Sequence, residues 1–148
     1  MFYCEYNGRV KQIGKVNYVE KDAKMTPKAI VTHNNLDWKL LNEKKNIDNY
    51  TCYKAVATYA YYSERDNNTY HLPVEAWYTP ELNFPFGPNG QGGLPGLILE
   101  YKFRNVVYGA KEIRIFKKEI EMPALSDYTQ YTFEEYEKIL SNELMFKF

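Results

Sequence analysis

Two histidines, two cysteines and the carboxylates are the groups here with the most chemistry to offer. A transition-metal site would need His33 and His71 joined by carboxylates, or by Cys4 and Cys52, and the spacing of these residues presents no ready-made metal motif. A thiol nucleophile at Cys52 would need a histidine base. Cys52 instead lies inside the apolar run YTCYKAVATYAYY (50–62), where a cysteine reads as a small buried hydrophobe. Glu75, Glu81, Glu100 and Asp37 are carboxylates available for acid–base work, but they fall on strand faces that also read as ordinary solvated positions. No serine stands in a G-x-S-x-G turn, since Ser63, Ser126 and Ser141 occur in turn or helix-end contexts. Gly87, Gly90, Gly92 and Gly93 hint at a phosphate cradle, but G-x-G-x-x-G requires a glycine where the chain has Pro95, and no helix pattern follows. Trp38 and Trp77 could stack on a sugar, although tryptophans flanked by strand residues usually belong to a core. The residues therefore point to no catalytic centre, no metal and no cofactor.

The elements that would carry these groups are mostly strands. VKQIGKVNYVE (10–20) alternates loosely and KAIVTH (28–33) follows a polar, proline-containing break, which predicts two strands and a turn. In LDWKLL, Leu36, Trp38 and Leu40 share one side of a strand, with NEKKNIDN (42–49) as the connection. The run 50–62 is apolar on both faces, as a central strand is, and SERDNN (63–68) is its hairpin turn. The return strand 69–78 sets Tyr70, Leu72, Val74, Ala76 and Tyr78 on one face, and Pro73 within it predicts a bulge or an edge. Leu97, Leu99, Tyr101 and Phe103 alternate with Glu100, Lys102 and Arg104, and KEIRIFKKEI (111–120) continues as a charged strand. The period then changes. Thr132 and Glu135 form a capping-box pair ahead of Phe133, Tyr136, Leu140 and Leu144, which predicts one amphipathic helix whose apolar stripe covers the sheet.

Composition narrows the class further. A length of 148 residues suits one domain, 1–148, and 26% charged with 45% hydrophobic residues is a folding composition. Nineteen basic residues cancel nineteen acidic ones, so no net field steers the chain to nucleic acid or an anionic surface. An aromatic content of 17%, with 15 tyrosines, is typical of amphipathic strands. No apolar run reaches the roughly 18 residues of a spanning helix. MFYCEYNGRV lacks the pattern of a signal peptide, so the chain as written reads as soluble, with any export signal removed or never present. Cys4 and Cys52 could pair in an oxidising compartment, a question the sequence leaves open.

The segment PELNFPFGPNGQGGLPG (80–96) holds Pro80, Pro85, Pro88 and Pro95 and five of the eight glycines. A punctuated loop of that length in a compact domain is either functional or packed on itself. GLPGLI at 93–98, preceded by AWYTPEL (76–82) and FGP (86–88), resembles the signature of the GLPGLI family of Bacteroidota; DWKLL (37–41) and the pattern of Ile47, Tyr50, Cys52, Lys54 and Ala55 are similar to the same family's upstream segments. The resemblance covers roughly residues 36–104. It implies export to the periplasm or outer membrane, as in a family many of whose members are encoded near outer-membrane receptors, and no established activity. By fold-level analogy it implies a curved antiparallel sheet, a half-barrel like that of lipoprotein-carrier domains, with a C-terminal amphipathic helix.

The expected protein is therefore mainly β (α+β) and non-catalytic, an envelope module that binds an apolar ligand or an outer-membrane protein. An assembly subunit that uses an exposed edge strand, and a hydrolase that uses carboxylates or Cys52, stand as alternatives. Candidate binding residues are Trp77, Phe84, Phe86, Gly93, Leu94, Pro95 and Gly96. The competing reading of the loop is a structural corner, in which Gly93 and Gly96 supply unusual backbone angles, Pro95 fixes one between them and the chain feeds into the strand at Leu97.

Overall fold

The structure is a computed structural model, and it describes residues 3–6, 10–13, 16–19, 29–32, 35–115, 126, 128–132, 134–136 and 138–139. Among the described residues ten strands follow one another: β1 Tyr3–Tyr6, β2 Val10–Ile13, β3 Val16–Val19, β4 Ala29–Thr32, β5 Lys39–Ile47, β6 Tyr50–Ser63, β7 Asn68–Thr79, β8 Leu97–Phe103, β9 Val106–Gly109 and β10 Thr129–Thr132. The protein is thus mainly β. Two compact units divide the chain, one made of residues 1–34 and 116–148 and the other of Asn35–Ile115.

In the first unit the strand order is β1-β2-β3-β4-β10, antiparallel except for the parallel pair β10–β4. The stretch 10–20 is not one strand but two, β2 and β3, paired from Val10↔Val19 to Ile13↔Val16. Ala29 and Val31 of β4 are buried against Tyr136, with Tyr131 packed beside them, its ring 6.1 Å from that of Tyr136. The capping box forms as its residue types require. The Thr132 N–H donates to the Glu135 carboxylate at 2.8 Å and the Glu135 N–H donates to Thr132 Oγ1 at 3.2 Å. The helix it opens is described only at 134–136 and 138–139, and Phe133, Leu140 and Leu144 of the expected stripe lie outside the described residues.

The second unit is an open antiparallel sheet in sequence order, β5-β6-β7-β8-β9. The hairpin between β6 and β7 turns at residues 64–67, closing with Ser63 opposite Asn68. Tyr62 and Tyr70 donate their hydroxyls to Asn67 and Asp66 of this turn, and the bond from Tyr70 is the largest cause holding the Asp66 carboxyl below its ordinary range. Pro73 sits opposite Thr58 in unbroken register, where among the described residues β7 has β6 as its one neighbouring strand because β8 pairs only from Val74 onward. An edge position is where a residue without an N–H does least harm.

Three local expectations change. The polar segment 42–47 is strand rather than connection, and the turn shrinks to Asp48 and Asn49, with Asp48 at φ 53°. A lysine-rich strand at a sheet edge keeps its charges in water, and Asp tolerates the left-handed angle a tight turn needs. Of the strand expected at 111–120, residues 111–115 are irregular and 116–120 lie outside the described residues; a strand not expected, β9, lies further upstream, reached through a turn with Arg104 at φ 55°. Leu36 and Trp38 precede β5 as irregular chain packed on the core, while Leu40 is 52% exposed.

The alternation in β8 also breaks. Trp77 pairs Glu100 but Tyr78 pairs Ile98, which leaves Leu99 as an extra residue on β8, a β-bulge. One inserted residue reverses the side to which everything beyond it points. Ile98 therefore joins Tyr101, Val74, Ala76, Tyr78, Ala55 and Leu94 in the core, although strict alternation would set it beside Glu100 and Lys102. Replacing Ile98 by alanine should cost about 2–5 kcal/mol in chemical denaturation. A cost near zero would mean that the alternation runs unbroken and Ile98 faces water.

Candidate functional site

Opposite strands bring different residues to the sheet's two faces. On the core face Tyr53, Ala55 and Ala57 lie opposite Tyr78, Ala76 and Val74, which in turn face Ile98, Tyr101 and Phe103. Burial raises the hydroxyl pKa of both Tyr78 and Tyr101, most strongly that of Tyr101. The other face carries Lys45, Cys52, Lys54, Glu75, Trp77 and Glu100. The seven candidate residues do not form one constellation, because Trp77 belongs to this second face and Leu94 is part of the core cluster with Tyr78.

The loop between β7 and β8 is tied down from end to end. Leu82 O accepts the Leu97 N–H at 3.0 Å and Phe86 O accepts that of Ile98 at 2.9 Å. Phe86 and Gly92 form a bridge of their own, and Pro88–Gly90 makes a short 3₁₀ turn. The Trp38 indole N–H donates to Gly92 O at 2.9 Å, fastening the chain ahead of β5 to the loop. Leu94 is 2% exposed, whereas Phe84 is 36% exposed and Pro95 faces solvent. Gly93 has φ +84° and lies against the Asn35 side chain. Gly96 has φ +156°, and a Cβ there would meet Thr79 O at 2.1 Å. Only glycine allows the loop to return this close to the end of β7.

Among the described residues, buried Gln91 has a side-chain Oε1 with no hydrogen-bond partner. Such an oxygen is costly to leave unmade and can accept one N–H or O–H from a bound group. Gln91 was not among the residues singled out from sequence, and burial of a polar residue inside a glycine-rich turn has no local signature.

Around Trp77 the second face is charged. Lys45 Nζ lies 4.4 Å and Lys54 Nζ 5.7 Å from the indole ring centre, and Lys45 bonds Glu100 at 2.8 Å. Lys54 reaches Glu43 at 3.3 Å and Glu75 at 3.6 Å. Both partners of the Lys45–Glu100 pair are about a third exposed, so the pair contributes no more than about 1 kcal/mol; its effect is to cover the indole. Glu81 is structural as well. It accepts the Thr51 N–H at 2.8 Å, and its own N–H donates to the hydroxyl of buried Thr79.

Cys52 is fully buried as a free thiol and donates to Tyr50 O at 3.7 Å. Burial is the largest influence on it and pushes its pKa up. The Cys4 side chain and His33 lie outside the described residues. His71 sits opposite Ala60, eight residues along β6 from Cys52, about 26 Å at ~3.3 Å per residue. Cys52, His71 and Glu75 are thus strung along the face rather than clustered. Among the described residues no group of three or more His, Cys, Asp or Glu converges on a point.

The model of a family described as "Protein of unknown function (Porph_ging)" matches residues 63–100. That span runs from the β6–β7 turn through β7 and the loop into β8. No curated protein and no solved structure matches the chain.

Two outcomes test this description. Leu94→Ala should cost about 2–5 kcal/mol while Pro95→Ala costs little, measured by urea denaturation; the reverse order would detach the loop from the core. Cys52 should resist iodoacetamide at pH 8 in the native protein and react on unfolding, since a buried, protonated thiol is a poor nucleophile. Equal native and unfolded rates would show an open thiolate instead.

Proposed function

We propose that this chain is a non-catalytic accessory module of the cell envelope that engages a protein partner through the outer half of the β6–β7 hairpin. The observation that carries the reading is an aromatic arm. Beyond Val56 and Val74 neither strand has a third strand beside it among the described residues, so 57–63 and 68–73 form a two-stranded ribbon. Tyr61, Tyr62 and Tyr70 are 38, 54 and 42% exposed on it. An isolated ribbon is marginal in water, and exposed tyrosines with low entropy to lose suit a contact surface.

The GLPGLI resemblance supports an extracytoplasmic place in Bacteroidota, since the motif at 93–98 falls within the matched span 63–100. An apolar ligand held beside Trp77 and Phe86 has less support, because Lys45 and Lys54 cover the indole and Leu94 is spent on the core. Carboxylate or Cys52 hydrolysis draws no support from side chains strung along a strand.

The test is site-specific photocrosslinking in the envelope of the native host. A photoreactive residue in place of Tyr62 should give a discrete protein adduct, and one in place of Asp48, at the opposite end of β6, should not. Absence of an adduct from position 62, or equal adducts from both, would overturn the reading.

A further inference from the structure

The outer half of the β6–β7 hairpin continues the core face of the sheet into solvent. Tyr61 lies opposite Tyr70, each six residues along its strand from the buried pair Ala55 and Ala76 in unbroken register, so both rings fall on the core side. Both are exposed where Ala55 and Ala76 are fully buried. The turn between β8 and β9 adds one charge to this face. Arg104 is exposed, and its guanidinium carbon lies 6.0 Å from the ring centre of Tyr61 and 5.3 Å from that of Phe103. Phe103 in turn meets Tyr59 edge-on at 5.5 Å. An arginine over aromatic rings is attracted by their π-faces, and its planar fork of N–H groups remains able to meet an acceptor.

Two features make this arginine a contact residue. Lys45, Lys54 and Arg114 each hold a carboxylate, whereas Arg104 has its ring contacts and, among the described residues, no ion pair or hydrogen bond. The carboxylate of Asp66 at the hairpin turn is taken by the Tyr70 hydroxyl, and Glu75 and Glu100 lie on the opposite face. Its backbone also stands at φ 55°, a left-handed angle that glycine or asparagine adopts at less cost. A costly angle kept at an exposed arginine points to a use for the side chain. We infer that this face receives an acidic segment of the partner protein, with one carboxylate taking the Arg104 fork and a neighbouring side chain packing on Tyr61 and Tyr70. The inference rests on the arm being the interaction surface and names the chemistry of what it holds. Tyrosine and arginine carry much of the energy at protein contacts, and a guanidinium can bond a carboxylate at two points at once.

The experiment repeats the photocrosslink from position 62 in the native envelope, with and without Arg104→Asn in the full chain, and compares the two chains in urea denaturation. Asparagine suits the left-handed angle, so the variant should unfold at or above the wild-type midpoint. Its adduct yield should nevertheless fall roughly ten- to hundredfold, as loss of a charge-assisted pair requires. Mass spectrometry of the wild-type adduct should find a protein whose crosslinked segment contains Asp or Glu. A variant that keeps the wild-type yield overturns the inference, and so does one with a lowered midpoint, because the arginine would then be holding the turn. An adduct with a lipid or saccharide, or with a protein segment free of acidic residues, overturns it as well. A protein adduct indifferent to Arg104 leaves the arm as the interaction surface and removes only the acidic segment; failure of the wild-type crosslink removes the arm itself.

Discussion

The contact between Gly96 and the carbonyl of Thr79 is the constraint on which the rest of the Asn35–Ile115 unit depends. It lets a loop of proline and glycine leave β7 and return beside it with no room for a side chain between. Leu94 can then enter the core, Leu97 and Ile98 can bond back to Leu82 and Phe86, and β8 can start in register with the end of β7. The loop is therefore part of the sheet's framework. Its prolines restrict the unfolded chain, and its glycines permit close approach, two effects that reinforce one another in a corner that must be tight.

From that corner the bulge at Leu99 follows three residues after Gly96. The first residues of β8 are aligned by the loop, and the later ones by alternation against Ala76 and Val74; the extra residue reconciles the two. Its effect is to bury Ile98 and Tyr101 together on one face and to leave Glu100 on the other beside Trp77. Lys45 then finds both the indole and the carboxylate. A face that would otherwise expose a tryptophan is sealed by side chains whose charges remain near water.

At the far end of the same hairpin the ladders of β5 and β8 stop. β6 and β7 are longer than β5, β8 and β9, so among the described residues no third strand is registered beside their outer halves, and tyrosines that fill the core near Ala55 give way to exposed ones. A single long hairpin thus passes from buried framework to exposed aromatic surface along its length. Burial of its inner half anchors the register of its outer half.

Much of this was legible in the chain itself. The mainly β class, the hairpin at 63–68, the capping box of Thr132 and Glu135, the edge position of Pro73 and the buried character of Cys52 follow from local patterns, because each depends on residues a few positions apart. The tertiary structure alone decided the bulge at Leu99, the strand identity of 42–47, the position of β9, the burial of Gln91 and the meeting of Lys45, Trp77 and Glu100. These depend on register between segments up to 55 residues apart, and register is settled by which pairing buries the most apolar surface, a property no window of sequence contains.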